Sequence, residues 1–340
     1  MNRVLIVLPN WVGDTLFATP FLRALRRAHP SAFIVTLGWP QCRHVLLHNP
    51  DLNELIDYEE QASHRGLGGM WRLSRTLRTR RFDTAFILRK SLSRSILLMC
   101  TGIPRRIGFA NAKSGWCLTR RVAPPREVMH KALSYAPLLE AASAGALESH
   151  YAYVVDAQER QAAQALVREQ GIDGRPVIIL HPGANWWHKR WAPERFAELG
   201  DRLMAQRGAK VLLTGAAEDV ELAQAIAQRM RQRPVVLAGR TTLRQLAACV
   251  SEAQLLISND TGVLHLAAAV DTPLIGLYGP TSPQLTGPLG DAGLLRVIHH
   301  ADSCPRIPCY QPDHPAHPGM GRISVDEVYD AAVASLGARG

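Results

Sequence analysis

Lysine is scarce in this chain. Only Lys90, Lys113, Lys131, Lys189 and Lys210 occur, although Lys and Arg together number 39 against 29 Asp and Glu. The formal charge of +10 is therefore carried almost wholly by arginine. Arginine grips phosphate and carboxylate through a planar fork, so the excess points either to an anionic partner or to a genome rich in arginine codons. Placement along the chain has to decide between them. Long apolar runs are also lacking. The stretch "FILRKSLSRSILLMCTGIP" is interrupted by Arg89, Lys90 and Arg94, far short of the roughly 20 apolar residues of a membrane helix. The opening "MNRVLIVLPNWVGDTLF" holds a five-residue apolar run, too short for a signal sequence. A cytoplasmic protein without a transmembrane segment is expected, resting at most on a membrane surface. The six cysteines (42, 100, 117, 249, 304 and 309) form no C-x-x-C pair, so reduced thiols are expected. Cys304 and Cys309, with His314 and His317, hint at a metal, but zinc sites use tighter pairs. No metal and no cofactor is expected. No nucleic-acid motif and no short repeat is present.

A chain of 340 residues fits two domains of about 150 residues each. Short β-rich runs alternate with helical patterns. Strands are expected at Val4–Leu8, Phe33–Leu37, near Asp57, at Asp83–Leu88 and at Arg106–Gly108. The span from Glu140 to Gly174 reads as largely helical, and two domains are expected to join near residues 150–174. The pattern then restarts, with strands at Val177–Leu180, Lys210–Leu213, Val235–Leu237, Leu255–Ile257 and Pro273–Tyr278, helices between them, and a last helix over 324–336. Apolar strands alternating with helices predict an α/β protein of doubly wound parallel sheets. Ligands of such sheets sit in loops after the strands.

Four of those loops carry candidate chemistry. "SNDTGVLHLAAAVDTPLIGLYGP" brings Asp260, Thr261 and Gly262 to a helix start, with His265 one turn further on. Free N–H groups and a positive dipole end there would hold a phosphate. Each residue alone also fits a helix cap or a core histidine. "HPGANWWHKRWAPERF" offers Lys189 to a diphosphate, or is simply a solvated aromatic turn. "TGAAEDVE" places Glu218 where an acid could meet a ribose, or could favour a helix N-terminus. "PNWVGDTL" places Asp14 where a carboxylate could take a proton from an acceptor hydroxyl, or could cap the helix. Arg72 and Arg75 stud a basic helical stretch, with Arg89, Lys90 and Arg94 following. They form a solvated face or a surface for an anionic acceptor.

Taken together, these residues resemble glycosyltransferase family 9, the ADP-heptose:lipopolysaccharide heptosyltransferases. The resemblance rests on "GDTLFATPFLRALRRAHP", "GIPRRIGF", "LAGRTTLRQLAACVSEAQLLISNDTG" running into "VLHLAAAVDTPLIGLYGPTSP", and "GRISVDEVYDA". It spans nearly the whole chain. "NWVGD", and "PGA" with "KRW", look more like heptosyltransferase II members than heptosyltransferase I. The resemblance implies a GT-B fold, two Rossmann-like domains with a cleft between them. The first would cover 1–155 and bind the acceptor; the second would cover 170–322 and bind the ADP-sugar. A final helix, 324–338, would return to the first domain. By position, the general base falls on Asp14, the phosphate-binding lysine on Lys189, the nucleotide-binding acid on Glu218 and the donor loop on Asp260, Thr261 and Gly262, with His265 behind it. Lys90 stands in "LRKS" where many members have an asparagine; with Arg72 and Arg75 it is a candidate acceptor contact.

The activity implied is inverting transfer of heptose from ADP-heptose to heptose I of the lipopolysaccharide inner core, an anionic acceptor at the inner membrane surface, with no nucleic-acid partner. Three alternatives stand beside it: another nucleotide-activated sugar or a heptosyltransferase I-like acceptor, a sugar epimerase of the same fold, and a non-catalytic anion-binding module.

Overall fold

The computed structural model describes residues 1–170, 174–304, 307–309 and 318–337. The chain divides into two units, Met1–Val154 and Val155–Gly340. The first runs β1 (Arg3–Val7), α1 (Val12–Ala28), β2 (Phe33–Gly38), α2 (Pro40–Leu46), β3 (Glu54–Asp57), α3 (Gly66–Thr79), β4 (Thr84–Ile87), α4 (Leu92–Thr101), β5 (Arg105–Phe109), β6 (Arg120–Val122) and α5 (Ala136–Glu140). Its six strands are all parallel, in the order β3-β2-β1-β4-β5-β6. β1 and β4 are buried on both faces, which is why they read as unbroken apolar runs. Leu73 and Leu77 turn inward from α3 to join Leu5, Val7, Ile87 and Leu97 in the core. Burying each such side chain contributes about 1.5–3 kcal/mol.

The second unit repeats the plan. It runs α6 (Ala157–Glu169), β7 (Val177–His181), α7 (Pro193–Arg207), β8 (Lys210–Leu213), α8 (Val220–Arg229), β9 (Val235–Val236), α9 (Leu243–Ser251), β10 (Leu255–Asn259), α10 (Gly262–Ala269), β11 (Leu274–Tyr278), α11 (Pro283–Thr286), β12 (Leu295–His299), α12 (Pro318–Arg322) and α13 (Val325–Gly337). Its strands are again parallel, in the order β12-β11-β10-β7-β8-β9. Helix starts follow local chemistry. Pro193 opens α7, and Thr242 with Gln245 forms a capping box on α9. Gly208 ends α7 at a φ of 63°, a conformation that costs glycine little.

Two expectations need correction. The span 140–174 is less helical than its composition predicts, and α6 within it is not a linker. Asp156 and Glu159 cap α6 with a capping box. Its acids and amides then tie it to α9 and its end. Arg244 Nη2 meets Glu159 Oε2 at 2.5 Å, and Gln164 donates to Glu252 at 2.9 Å. The terminal helix α13 lies against α7, β10 and β11 of its own unit, with Val325, Val328, Tyr329 and Ala332 inside that unit's core. The apolar side of α13 is used within that unit. Finally, β6 and β12 were not legible as strands. β6 is short and arginine-rich, and β12 exposes two successive residues, Arg296 and Val297, at a sheet edge.

Candidate active site

Both sheets reverse their winding at one point, between β1 and β4 in the first unit and between β7 and β10 in the second. Loops leaving such neighbours part to opposite faces and open a crevice where ligands bind. Lys189, Asp260 and Thr261 of the second unit lie there, while Glu218 follows β8. Lys189 ends a short 3-10 turn in the loop after β7, and its Nζ donates to Asp260 Oδ2 at 2.7 Å. Thr281, beyond β11, donates to the same oxygen at 2.6 Å. Asp260 is only 6% exposed, whereas the Lys189 side chain keeps 22% of its surface open. The acid thus aims a cation that remains reachable.

The start of α10 lies in the same loop. Thr261 is its N-cap residue, in extended backbone, and its hydroxyl makes no capping hydrogen bond. That hydroxyl lies 3.3 Å from Ser258 Oγ instead. The capping alternative therefore does not hold for either polar side chain: Asp260 is engaged by Lys189 and Thr281. A helix start without a side-chain cap, beside a held ammonium, suits an anion. His265 is 4% exposed, among the buried residues of α10.

Asn259, which sequence reading passed over, fixes the spacing of these loops. It is fully buried; its Nδ2 donates to Pro182 O at 2.8 Å, and its Oδ1 accepts from Trp191 N at 3.1 Å. Trp191 is itself held by Ile323 O and packs edge-on against Phe196. Lys189 thus hangs from a segment anchored at both ends.

Asp219, rather than its neighbour Glu218, joins the loops after β7 and β8. It accepts from Ala216 N at 3.1 Å and pairs with Arg190 at 3.4 Å. A Cβ at Gly183 would lie 2.2 Å from Asp219 Oδ2, and one at Gly215 would lie 2.6 Å from Asp219 Cβ. Two glycines are therefore needed for this carboxylate to reach the backbone. Glu218 is exposed in the turn Ala217–Asp219. His181, at the end of β7, shares a hydrogen bond of 3.0 Å with Thr214. Burial pushes its pKa down to about 4, against the opposing pull of Asp219.

In the first unit Asp14 lies in the first turn of α1, where a carboxylate favours the helix dipole. Thr15 braces that turn by donating from N and Oγ1 to Trp11 O. Lys131 Nζ donates to Asp14 Oδ1 at 2.8 Å. Burial, and next the Asp14 charge, raise the pKa of Tyr135. Arg94, 1% exposed, donates to Leu8 O and Asn10 Oδ1 and lies over the Tyr58 ring at 5.0 Å. Burial, then the charge of Arg89, lowers its pKa to about 10. It is a strut beneath the β1–α1 loop.

The acceptor candidates separate. Lys90 is exposed after β4 and lines a small recess with Arg89, Ser95 and Asn111. Arg75 lies over Trp71 at 5.7 Å and lines a different groove, of about 490 Å³, between α3 and α4. Arg72, also exposed on α3, donates to Ser63 O. Among the described residues no three of His, Cys, Asp and Glu could hold a metal ion. His314 and His317, in the weak metal pattern, lie outside those residues.

The sequence profile of glycosyltransferase family 9 (heptosyltransferase) matches residues 70–309. The chain belongs to this family. It is 31% identical to the lipooligosaccharide heptosyltransferase 2 of Haemophilus influenzae, across 87% of this chain and 89% of that one. Among solved structures it is similar to a family 9 glycosyl transferase from Veillonella parvula, with TM-score 0.88, 26% identity and 99% and 97% of the two chains covered. It is also similar to the ADP-heptose lipopolysaccharide heptosyltransferase II of Escherichia coli, with TM-score 0.83, 26% identity and 99% of each chain covered. The family 9 fold is GT-B, and the two six-stranded parallel α/β units conform to it. Membership makes this chain a glycosyltransferase and sets aside the epimerase and non-catalytic readings.

Against that family background, the residues that sequence reading missed share one property. Asn259, Asp219 and Lys131 act through partners remote in sequence. Only Lys131 carried a signal, as one of five lysines in an arginine-rich chain.

Proposed function

We propose that this protein is an inverting heptosyltransferase that moves heptose from ADP-heptose to heptose I of the lipopolysaccharide inner core, from the cytoplasmic side of the membrane. The single observation that carries the donor half is Lys189, aimed by Asp260 and Thr281 beside the uncapped start of α10. Asp14 takes the proton of the acceptor hydroxyl as that oxygen bonds the anomeric carbon. The bond to ADP breaks on the opposite face, through an oxocarbenium-like transition state. Negative charge then grows on the departing diphosphate. Lys189 and the N–H groups after Thr261 stabilise it where it develops. Glu218 serves the nucleoside.

The acceptor is met at a membrane surface, and α3 supports this. Leu67 and Trp71 are 82% and 63% exposed on it, beside Arg72, Arg75 and Arg78, and the helix contains no acid. An indole and basic side chains suit an anionic lipid interface. Cosedimentation with vesicles of phosphatidylglycerol, but not of phosphatidylcholine alone, is expected; equal recovery with both would argue against this surface.

The deciding experiment is incubation of truncated lipopolysaccharide core with ADP-heptose, read by mass spectrometry for one added heptose and by NMR for the inverted anomer. Asp14→Ala should slow transfer by about 10²–10⁴, the range of a general base, with ADP binding nearly intact. Near-normal turnover in that variant would remove Asp14 from the mechanism.

A further inference from the structure

The carboxylate given the base role above is engaged by another residue. Lys131 Nζ reaches Asp14 Oδ1 at 2.8 Å across 117 residues of sequence. Most exposed ion pairs join two loose side chains and contribute little. This one differs in how the lysine is delivered. The carbonyl of Lys131 accepts from both N and Oγ of Ser134, at 3.2 and 2.6 Å. His130, just before it, is buried edge-on against Phe17 of α1 at 5.3 Å. Tyr135, four residues further on, is buried against Phe21 of the same helix at 6.3 Å. The segment therefore grips, on either side of Lys131, the helix that carries Asp14. Only the lysine head is open: its side chain is 56% exposed, against 22% for Asp14.

We propose that Lys131 is a positioning residue for Asp14. Its ammonium occupies Oδ1 and fixes the rotamer of the carboxylate, which leaves Oδ2 to accept the acceptor proton. A base held in one geometry reacts faster than one that must find it. The contact uses a single N–H donor, so an arginine, which carries several, can supply it in part. Because the lysine head is exposed, its removal should not unfold the protein. This inference rests on the base role of Asp14, and the test separates the two.

Transfer kinetics would be compared for Lys131→Met, Lys131→Arg, Asp14→Asn and the double variant Asp14→Asn/Lys131→Met. Loss of Lys131 should lower kcat by about 10-fold, an appreciable part of what a general base contributes, with KM for ADP-heptose and the melting temperature unchanged. Lys131→Arg should return kcat to within about threefold of wild type. In the Asp14→Asn background, removing Lys131 should cost nothing more, because groups acting as a unit are not additive. A Lys131→Met kcat within about twofold of wild type, the size of an ordinary surface pair, with Asp14→Asn slow, overturns the Lys131 role and leaves the base standing. Losses that simply add overturn it too. Near-normal turnover in Asp14→Asn overturns both.

Discussion

Asn259→Ala tests the idea that one buried amide sets the geometry of the donor loops. The side chain is fully buried and joins Pro182 O to Trp191 N, two points flanking Lys189. Its removal takes away two hydrogen bonds, each with a net contribution of about 1 kcal/mol. It also leaves a buried carbonyl and a buried N–H unmet, at about 1–3 kcal/mol each where water cannot replace the partner. With the native bonds and the unmet groups counted as one loss, the cost should be about 2–6 kcal/mol. Hydrogen–deuterium exchange reads it locally: the Trp191 amide should exchange roughly 30- to 20,000-fold faster, at about 1.4 kcal/mol per factor of ten. The loop carrying Lys189 loosens with it, so ADP affinity should fall while amides of the first unit keep their protection. An exchange change below about threefold, with ADP affinity intact, would show that other contacts hold the loop and would refute the reasoning.

Lys189→Ala should weaken ADP binding by about 10²-fold in calorimetry, because the variant leaves the buried Asp260 carboxylate facing the diphosphate without its cation; adding Asp260→Asn should restore part of the loss, and unchanged affinity in the single variant would count against the site. Gly183→Ala drives a methyl into the Asp219 carboxylate and should cost about 1–3 kcal/mol by urea denaturation. Most of that cost should vanish in the Asp219→Ala background, and strict additivity would mean the two do not touch. His181 gives a pH dependence with a definite sign. Its folded pKa, about 4, lies below the ordinary 6.5, so its contribution is complete above pH 6.5 and fades as the pH falls toward 4. The unfolded chain takes up the proton first, which should remove about 2 kcal/mol between pH 7.5 and 5. Urea midpoints should show this loss reduced in His181→Asn, and parallel pH profiles for the two proteins would exclude His181 as the source.

The sequence by itself determined the repeating α/β pattern, the loops that bear chemistry and the family resemblance. Those features are local: an apolar strand buried on both faces, or a glycine after a polar turn, shows in a handful of consecutive residues. Tertiary structure decided which loops are neighbours. The strand orders place β1 beside β4 and β7 beside β10, and parallel crossovers of similar pattern could have been laid down in other orders. Only that arrangement joins Lys189 to Asp260 across 71 residues and Lys131 to Asp14 across 117. It also chose Asp219 over Glu218 as the residue that bridges two loops, and it drew α6 and α13 into the second unit. Capping motifs and periodicity fix where a helix begins and which side is apolar. What that side covers depends on surfaces supplied by distant parts of the chain, so it is settled only when the sheet is assembled.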